Sequence, residues 1–454
     1  MFKNHGHLDL SKETMTLVIS SDIENLLVNE IFTLLGIQKS ELENDLEVIR
    51  TLGKLTAKKV IVLNQDKMME NAKIWEKIRD LKEDVLFVLD TFGKTDLRLL
   101  FENLVTQSYR FSHFKSKDKV RNYGIHYVSS TNLDEVIKEA IIIGEAINKV
   151  KELVDTPYNH LNAKKLAEHA LTLKELENVE VNVYGKRECE TMNMGAFLGV
   201  NKGSKDEPQL IHIRYKGNNA SNEITALVGK GVMYDTGGYS LKTSTGMPTM
   251  KCDMAGAATV LGALEIIAKS KFKANVDIVI AATDNKIGDD AIVPDDILTA
   301  ANGTTIEIIS TDAEGRLTLA DALWFAQKEG ATKLIDIATL TGAVVAALGK
   351  EYTGAFTNNQ AFLNELMNIS EKTKEKLWQM PITEGYRKEL KSYAADLRNS
   401  GTSRTAGASV AAAFLEKFIE NNRPWIHLDI AGTAFDEKTG GSGIMVKTLA
   451  EFFR

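Results

Sequence analysis

Residues 310–317 read S-T-D-A-E-G-R-L, placing Asp312, Glu314 and Arg316 at alternate positions between a strand-like run and a helix-like one. Two further acids, Asp235 and Asp253, and two lysines, Lys230 and Lys242, lie in L-V-G-K-G-V-M-Y-D-T-G-G-Y-S-L-K (227–242) and K-C-D-M-A-G-A-A (251–258). All three stretches sit where strand-like runs end, and in open α/β sheets ligands collect beyond the carboxyl ends of strands. Four carboxylates sharing a partly buried hollow repel one another strongly. Two divalent cations would offset them. Oxygen ligands without cysteine suit manganese, magnesium or zinc, and bridging carboxylates can hold two such ions about 3.5–4 Å apart. If the backbone at 312–316 is extended, its three alternate side chains share one face, with Gly315 allowing a close approach and a change of direction. Arg316 would then stand ready for an anion or a developing oxyanion.

Taken singly, each residue has a plainer reading. Asp253 can cap a helix, Asp235 suits a D-T-G-G turn, Asp312 and Arg316 can form a helix-start ion pair, and isolated lysines are usually solvated. The convergence of all seven on strand ends favours a site. Competing templates are missing: no H-E-x-x-H, G-x-S-x-G or G-x-x-x-x-G-K-[ST] occurs. His212 and His427 fall inside apolar runs and read as core residues, and Cys252 as a small packed thiol.

These residues need a scaffold, and the pattern predicts an α/β fold. Short β-rich runs at 15–20, 59–64, 84–90 and 124–129 predict a small N-terminal α/β domain over 1–130. A helical period starting at Leu133 and lasting until Thr156-Pro157 predicts a linker helix within 131–160, and Asn162 is placed to cap the next helix. From 161 to 454, continuous apolar runs at 208–215, 223–232, 276–284, 333–340 and 425–433 predict strands buried on both faces. Helical stretches at 254–270 and 318–330 between them predict a larger catalytic domain, a mixed β-sheet sandwiched by helices. Asn302-Gly303 predicts a hairpin across 296–311.

Composition bounds the function. At 454 residues, 44% hydrophobic and 26% charged, the chain reads as ordinary globular protein, large enough for two domains. A net charge of -7 supplies no basic footprint for nucleic acid. Residues 1–12 lack the apolar core of a secretory signal, and no run of roughly 18 apolar residues offers a membrane span. Two cysteines, Cys189 and Cys252, fit a reducing compartment, and the expected location is the cytoplasm.

The motif T-D-A-E-G-R-L, with V-G-K-G-(x)3-D-x-G-G-x-S-L-K and M-K-x-D-M-x-G-A-A, closely resembles the leucyl aminopeptidase family of two-metal cytosolic exopeptidases. The resemblance extends through 153–161 (LVDTPYNHL), 194–204 (MGAFLGVNKGS), 338–343 (ATLTGA) and the C-terminal stretch ending W-I-H-L-D-I-A-G-T-A, covering most of the chain after about residue 150. It implies one metal held by Lys230, Asp235, Asp253 and Glu314, and a second, more exchangeable one held by Asp235, Asp312 and Glu314. Manganese and zinc are the expected ions. It further implies that Lys242 stabilises the oxyanion, that Arg316 holds a bicarbonate acting as general base, and that Met250, Thr339 and Gly342 line the pocket for the first side chain. The implied activity is release of N-terminal residues, leucine and other apolar ones preferred, from short peptides by a homo-hexamer. Two alternatives stand beside it: a DNA-binding or regulatory protein on the same scaffold, and a narrow dipeptidase such as a cysteinylglycine hydrolase. Departures from the family pattern, at Ser310, Thr236 and 243–249, remove none of the implied ligands. Residues 282–296 diverge more and bear on the substrate loop and the subunit interface.

Overall fold

The computed structural model describes residues 2–454 except 23, 43, 65–76, 79, 82, 94–95, 117–123 and 404. The chain divides into two compact units, Met1–Glu145 and Ala146–Arg454.

In the first unit a six-stranded sheet runs in the order Phe2–Asn4, Ile125–Val128, Val85–Val88, Thr16–Ser20, Lys59–Leu63 and Leu46–Arg50. All neighbours are parallel except the last pair. Alternation along the strands divides their apolar side chains between two faces. Val18, Ile61 and Phe87 join Leu100, Phe101 and Leu104 of helix Leu97–Thr106 in one cluster. Leu17, Ile19, Val60 and Val62 join Val28, Ile31 and Phe32 of helix Leu26–Leu35 in the other.

Helix Asp134–Asp155 contains the division between the units. Its first turns bury Ile137 and Ala140 in the first unit's core. Val150, from its later turns, approaches Gly262, where a Cβ would lie 2.4 Å from the Val150 side chain. The helix therefore belongs partly to each core, where a free-standing linker would belong to neither.

The second unit is built on an eight-stranded mixed sheet. Its order is Leu377–Gln379, Thr353–Thr357, Trp425–Asp429, Lys333–Ala338, Thr225–Asp235, Asn275–Asn285, Gln209–Lys216 and Val179–Tyr184. The four strands from Trp425–Asp429 to Asn275–Asn285 are mutually parallel. Their near-complete burial matches their continuous apolar sequence. Ala226, Val228, Val279 and Leu334 share a cluster with Leu317, Ala320 and Leu323 of helix Gly315–Lys328. Gly229, on the opposite face by alternation, meets helix Ala255–Lys269, whose Ala257 Cα would lie 2.7 Å from any Cβ added there. A small residue is needed for that approach. Asn162 caps helix Ala163–Thr172 by accepting from the Lys165 amide.

The hairpin forms between Ile297–Thr299 and Thr305–Glu307, with Gly303 at φ +88° in the connecting loop. Its second strand also pairs, in parallel, with Leu397–Arg398. Among the described residues no helix is long and apolar enough to cross a membrane.

Candidate active site

Lys230 sits within strand Thr225–Asp235 and Asp235 ends it, which places a lysine and an acid at the exit of one buried strand. A Cβ on Gly315 would come within 2.3 Å of the Lys230 Cε, so glycine at the start of helix Gly315–Lys328 makes room for the lysine stem. The Lys230 Nζ donates to Asp253 Oδ1 at 2.7 Å and to the Thr339 carbonyl at 3.0 Å, and lies 2.9 Å from Glu314 Oε1. Three ammonium protons thus meet three acceptors. Asp253 comes from the 3-10 turn Met250–Met254, and its Oδ1 also accepts from the Thr339 hydroxyl at 2.7 Å.

On the outer side, the Lys242 Nζ reaches Asp235 Oδ2 at 2.7 Å and Asp312 Oδ1 at 2.6 Å. Asp235 Oδ1 accepts from the Gly237 amide and from Asn285 Nδ2, both at 2.8 Å. Asn285 Nδ2 also donates to the Thr311 carbonyl at 3.0 Å, tying the Asp235 strand end to the Asp312 loop. Ser240 and Thr311 lace the same two loops together, each amide donating to the other's hydroxyl. Gly237, at φ +87°, turns the chain tightly enough for the Lys242 amide to reach the Thr236 carbonyl. One oxygen from each of Asp235, Asp312 and Glu314 can lie within 4.8 Å of the others, the only such acid, histidine or cysteine group among the described residues.

The alternating motif meets this cluster by a different backbone from the extended one expected. Residues 311–312 form a turn, Glu314 has helical torsions (φ -77°, ψ -37°), and Arg316 lies inside the helix that Gly315 opens. A turn followed by a helix start brings Asp312 and Glu314 together, and Arg316, inside the helix, stays near enough to feel the charges of Glu314, Asp429 and Asp312. The Arg316 Nη1 donates to the Asn399 carbonyl at 2.8 Å, and its buried Nε has no partner. Thr339 is buried, and its hydroxyl is engaged by Asp253. Met250 begins the turn that carries Asp253, and Gly342 opens helix Gly342–Leu348 with open space where a Cβ would be. Asn285, Ser240, Thr311 and Asn399 were not singled out from the sequence. His427 is indeed a core residue, bonded through Nδ1 to Asp336 Oδ1 at 2.6 Å.

Electrostatics follow from this crowding. Burial, with Asp235 adding to it, pushes the Glu314 carboxyl up to about 8. Burial likewise lifts Asp253 to about 6, with Lys230 opposing and Asp235 reinforcing. Lys230 moves upward: burial opposes its charge, but Asp253, Glu314 and Asp235 outweigh it. Burial lowers Arg316 to about 10, against the pull of Glu314, Asp429 and Asp312. Asp253 Oδ2 and Glu314 Oε2 are buried with no hydrogen-bond partner. A buried carboxylate oxygen left without a donor is costly. Two such oxygens beside a converging acid group suit divalent cations, so the residues present fit the metals that the sequence resemblance implies.

Residues 148–450 match the family model described as the cytosol aminopeptidase family, catalytic domain. A probable cytosol aminopeptidase of Clostridium perfringens is 42% identical over 400 residues, spanning 84% of this chain and 81% of that protein. One from Bacillus subtilis is 41% identical over 391 residues, spanning 82% and 78%. A solved structure of a lysine-to-glutamate mutant of tomato leucine aminopeptidase superposes with a TM-score of 0.89 at 28% identity, covering 100% of this chain and 96% of that one. Fold, acid cluster and these matches define a metal-dependent exopeptidase acting at peptide N-termini. The chain belongs to the cytosol aminopeptidase family and is a hydrolase of the leucyl aminopeptidase type.

Proposed function

We propose that the protein releases N-terminal residues, leucine and other apolar ones preferred, from short peptides, using two divalent cations, manganese or zinc. The observation that carries this reading is the pair of buried, unpartnered oxygens, Asp253 Oδ2 and Glu314 Oε2, beside Asp235 and Asp312. Lys230, as a neutral amine once a cation's charge has displaced its proton, would hold one cation with Asp235, Asp253 and Glu314, and Asp235, Asp312 and Glu314 would hold the other. Bound there, the cations supply Lewis acidity toward the scissile carbonyl and toward water.

The chain's own groups do the rest. Lys242 is partly exposed, so its ammonium is accessible to a substrate oxygen and can stabilise charge developing on it. Arg316 keeps the unpartnered Nε beyond the donor given to Asn399, and would hold a small anion such as bicarbonate, which would supply a general base there. By likeness to the family, the free α-amino group of a substrate would be received, in its neutral form, at the metal positions, and an internal peptide bond has no such group to offer; this would give selectivity for chain ends. By the same likeness, Met250, Thr339 and Gly342 would border the pocket for the first side chain; a Cβ at Gly342 would meet open space. Its expected setting is the cytoplasm, as a homo-hexamer, by likeness to the family. All five implied ligands are present, so the DNA-binding alternative gains no support.

The test is a metal titration. Chelator-stripped protein should be inactive on leucine p-nitroanilide and regain turnover as manganese or zinc is added, with two ions per chain by elemental analysis. Equal activity before and after stripping would refute the reading. Turnover of a pentapeptide alongside cysteinylglycine separates a broad aminopeptidase from a strict dipeptidase, which should fail on the longer substrate.

A further inference from the structure

Asp429 lies at the end of strand Trp425–Asp429, one residue pair beyond the point where Ile337 and Leu428 stand side by side in the sheet. It is buried, and it touches none of the five implied ligands through a hydrogen bond. Two of its three bonds go instead to the segment 339–342. Oδ1 accepts from the Leu340 amide at 3.0 Å and the Ala431 amide at 3.2 Å, and Oδ2 accepts from the Thr341 hydroxyl at 2.7 Å. The Thr341 hydroxyl oxygen in turn accepts from the Val344 amide at 3.0 Å and so caps helix Gly342–Leu348. Leu340 and Thr341 are thereby fixed from outside the site.

The residue before them is Thr339, which faces inward. Its carbonyl accepts from Lys230 Nζ and its hydroxyl donates to Asp253 Oδ1. One short segment therefore has two sides, one held by a buried acid and the other holding a lysine and an acid of the cluster. A shift of the segment would move both contacts at once.

The geometry points to Asp429 as a positioning residue: by anchoring Leu340 and Thr341 it holds Thr339 in the place from which Thr339 orients Lys230 and Asp253. This rests on the reading of Lys230 and Asp253 as metal-holding groups. Thr339 is the partner one step removed from the implied ligands, a position whose loss typically changes affinity or activity by about 10–100-fold, and Asp429, a step further out, acts through it with a smaller effect.

The experiment compares wild type, Asp429→Asn, Asp429→Ala and Thr341→Val. Each is measured for metal affinity by chelator competition, for kcat and KM, and for the melting temperature of the metal-free form. Asn keeps an oxygen for Leu340 and Ala431 but cannot accept from Thr341 through its amide nitrogen, so its loss should be the smaller of the two Asp429 variants. Expected is about a 10-fold weakening, the lower end of that range, at one of the two metal positions with Asp429→Ala and a matching fall in kcat, with KM within roughly 3-fold. Thr341→Val should show the same pattern at lower amplitude. Should Asp429→Ala not fold, Asp429→Asn and Thr341→Val carry the test alone. Variants that melt earlier yet bind metal and turn over within about 2-fold of wild type would overturn the assignment, leaving Asp429 a purely structural residue. If wild type itself binds no metal, the ligand reading beneath it has failed, and the two failures are told apart.

Discussion

The acid cluster has an inner side and a rim, and the two are built from the same chemistry in different surroundings. On the inner side Lys230, Asp253 and Glu314 have side chains 3%, 6% and 2% exposed, and on the rim Lys242 and Asp312 are 17% and 40% exposed. Contact distances hardly differ, 2.7 and 2.9 Å inside against 2.6 and 2.7 Å at the rim. Energies should differ widely. A buried pair broken on one side leaves an uncompensated charge, at about 3–5 kcal/mol, whereas an exposed pair is worth about 0–1 kcal/mol. Distance alone is therefore a poor guide to what each pair does: the inner side holds the site together, and the rim is free to exchange partners with solvent, ions and substrate.

The largest effect tests the inner side. Glu314→Ala removes a carboxylate implied at both metal positions and leaves Lys230 with Asp253 as its one remaining acid contact within 4 Å among the described residues. Metal content should fall to background and turnover on leucine p-nitroanilide should vanish, while Lys230 keeps Asp253 as its counter-ion in the metal-free protein. A Glu314→Ala protein with normal metal content would erase the distinction between inner side and rim. Next in size is Lys242→Ala. It should keep both ions, since Asp235 retains Asn285 and Gly237 as donors, while kcat drops about 10²–10³-fold, the usual loss for an oxyanion donor. Loss of metal in that variant would instead make Lys242 a structural counter-ion.

The comparison sharpens with Asp253→Ala set against Asp312→Ala. Both should cost one ion per chain. Asp253→Ala should also destabilise the fold by several kcal/mol, because Lys230 and the Thr339 hydroxyl lose a shared buried acceptor. Asp312→Ala, exposed and paired mainly with Lys242, should unfold within about 1 kcal/mol of wild type. Equal destabilisation in chemical denaturation would mean that the rim is as dry as the interior.

What the sequence made legible follows the same divide between local and distant causes. Buried strands announced themselves as continuous apolar runs, and the residue types of 310–317 pointed to an acid-bearing loop. The edge strand Leu46–Arg50 did not, because two of its five residues are charged and its burial alternates. The conformation of 312–316 is not legible in the residue types, because alternation suits a strand, while the helix that opens at Gly315 packs its first residue against Lys230, 85 positions earlier in the sequence. Asn285 was passed over for a further reason. Its role depends on lying beside Asp235 across a bulged pair of strands and opposite a loop 26 residues further along, and no local pattern encodes that. Asp429 is hidden in the same way, since sheet register sets it beside Ala338.

The smallest expected effect concerns protons in the metal-free protein. Glu314 is raised by burial from its ordinary value of 4.5 to about 8, so between those values the folded chain holds a proton there that the unfolded chain has released. The sign follows: this group's contribution to stability is fully present below pH 4.5 and is lost as pH rises through about 8. Asp312, at the rim, is also raised, by burial and Asp235, though Lys242 works against the shift. Urea midpoints of chelator-stripped wild type should therefore decline between pH 5 and pH 8 relative to Glu314→Gln, which has no proton to lose, while Asp312→Asn should track wild type closely. Parallel midpoints for wild type and Glu314→Gln across that range would show that water reaches the inner acids, and that the inner side is no drier than the rim.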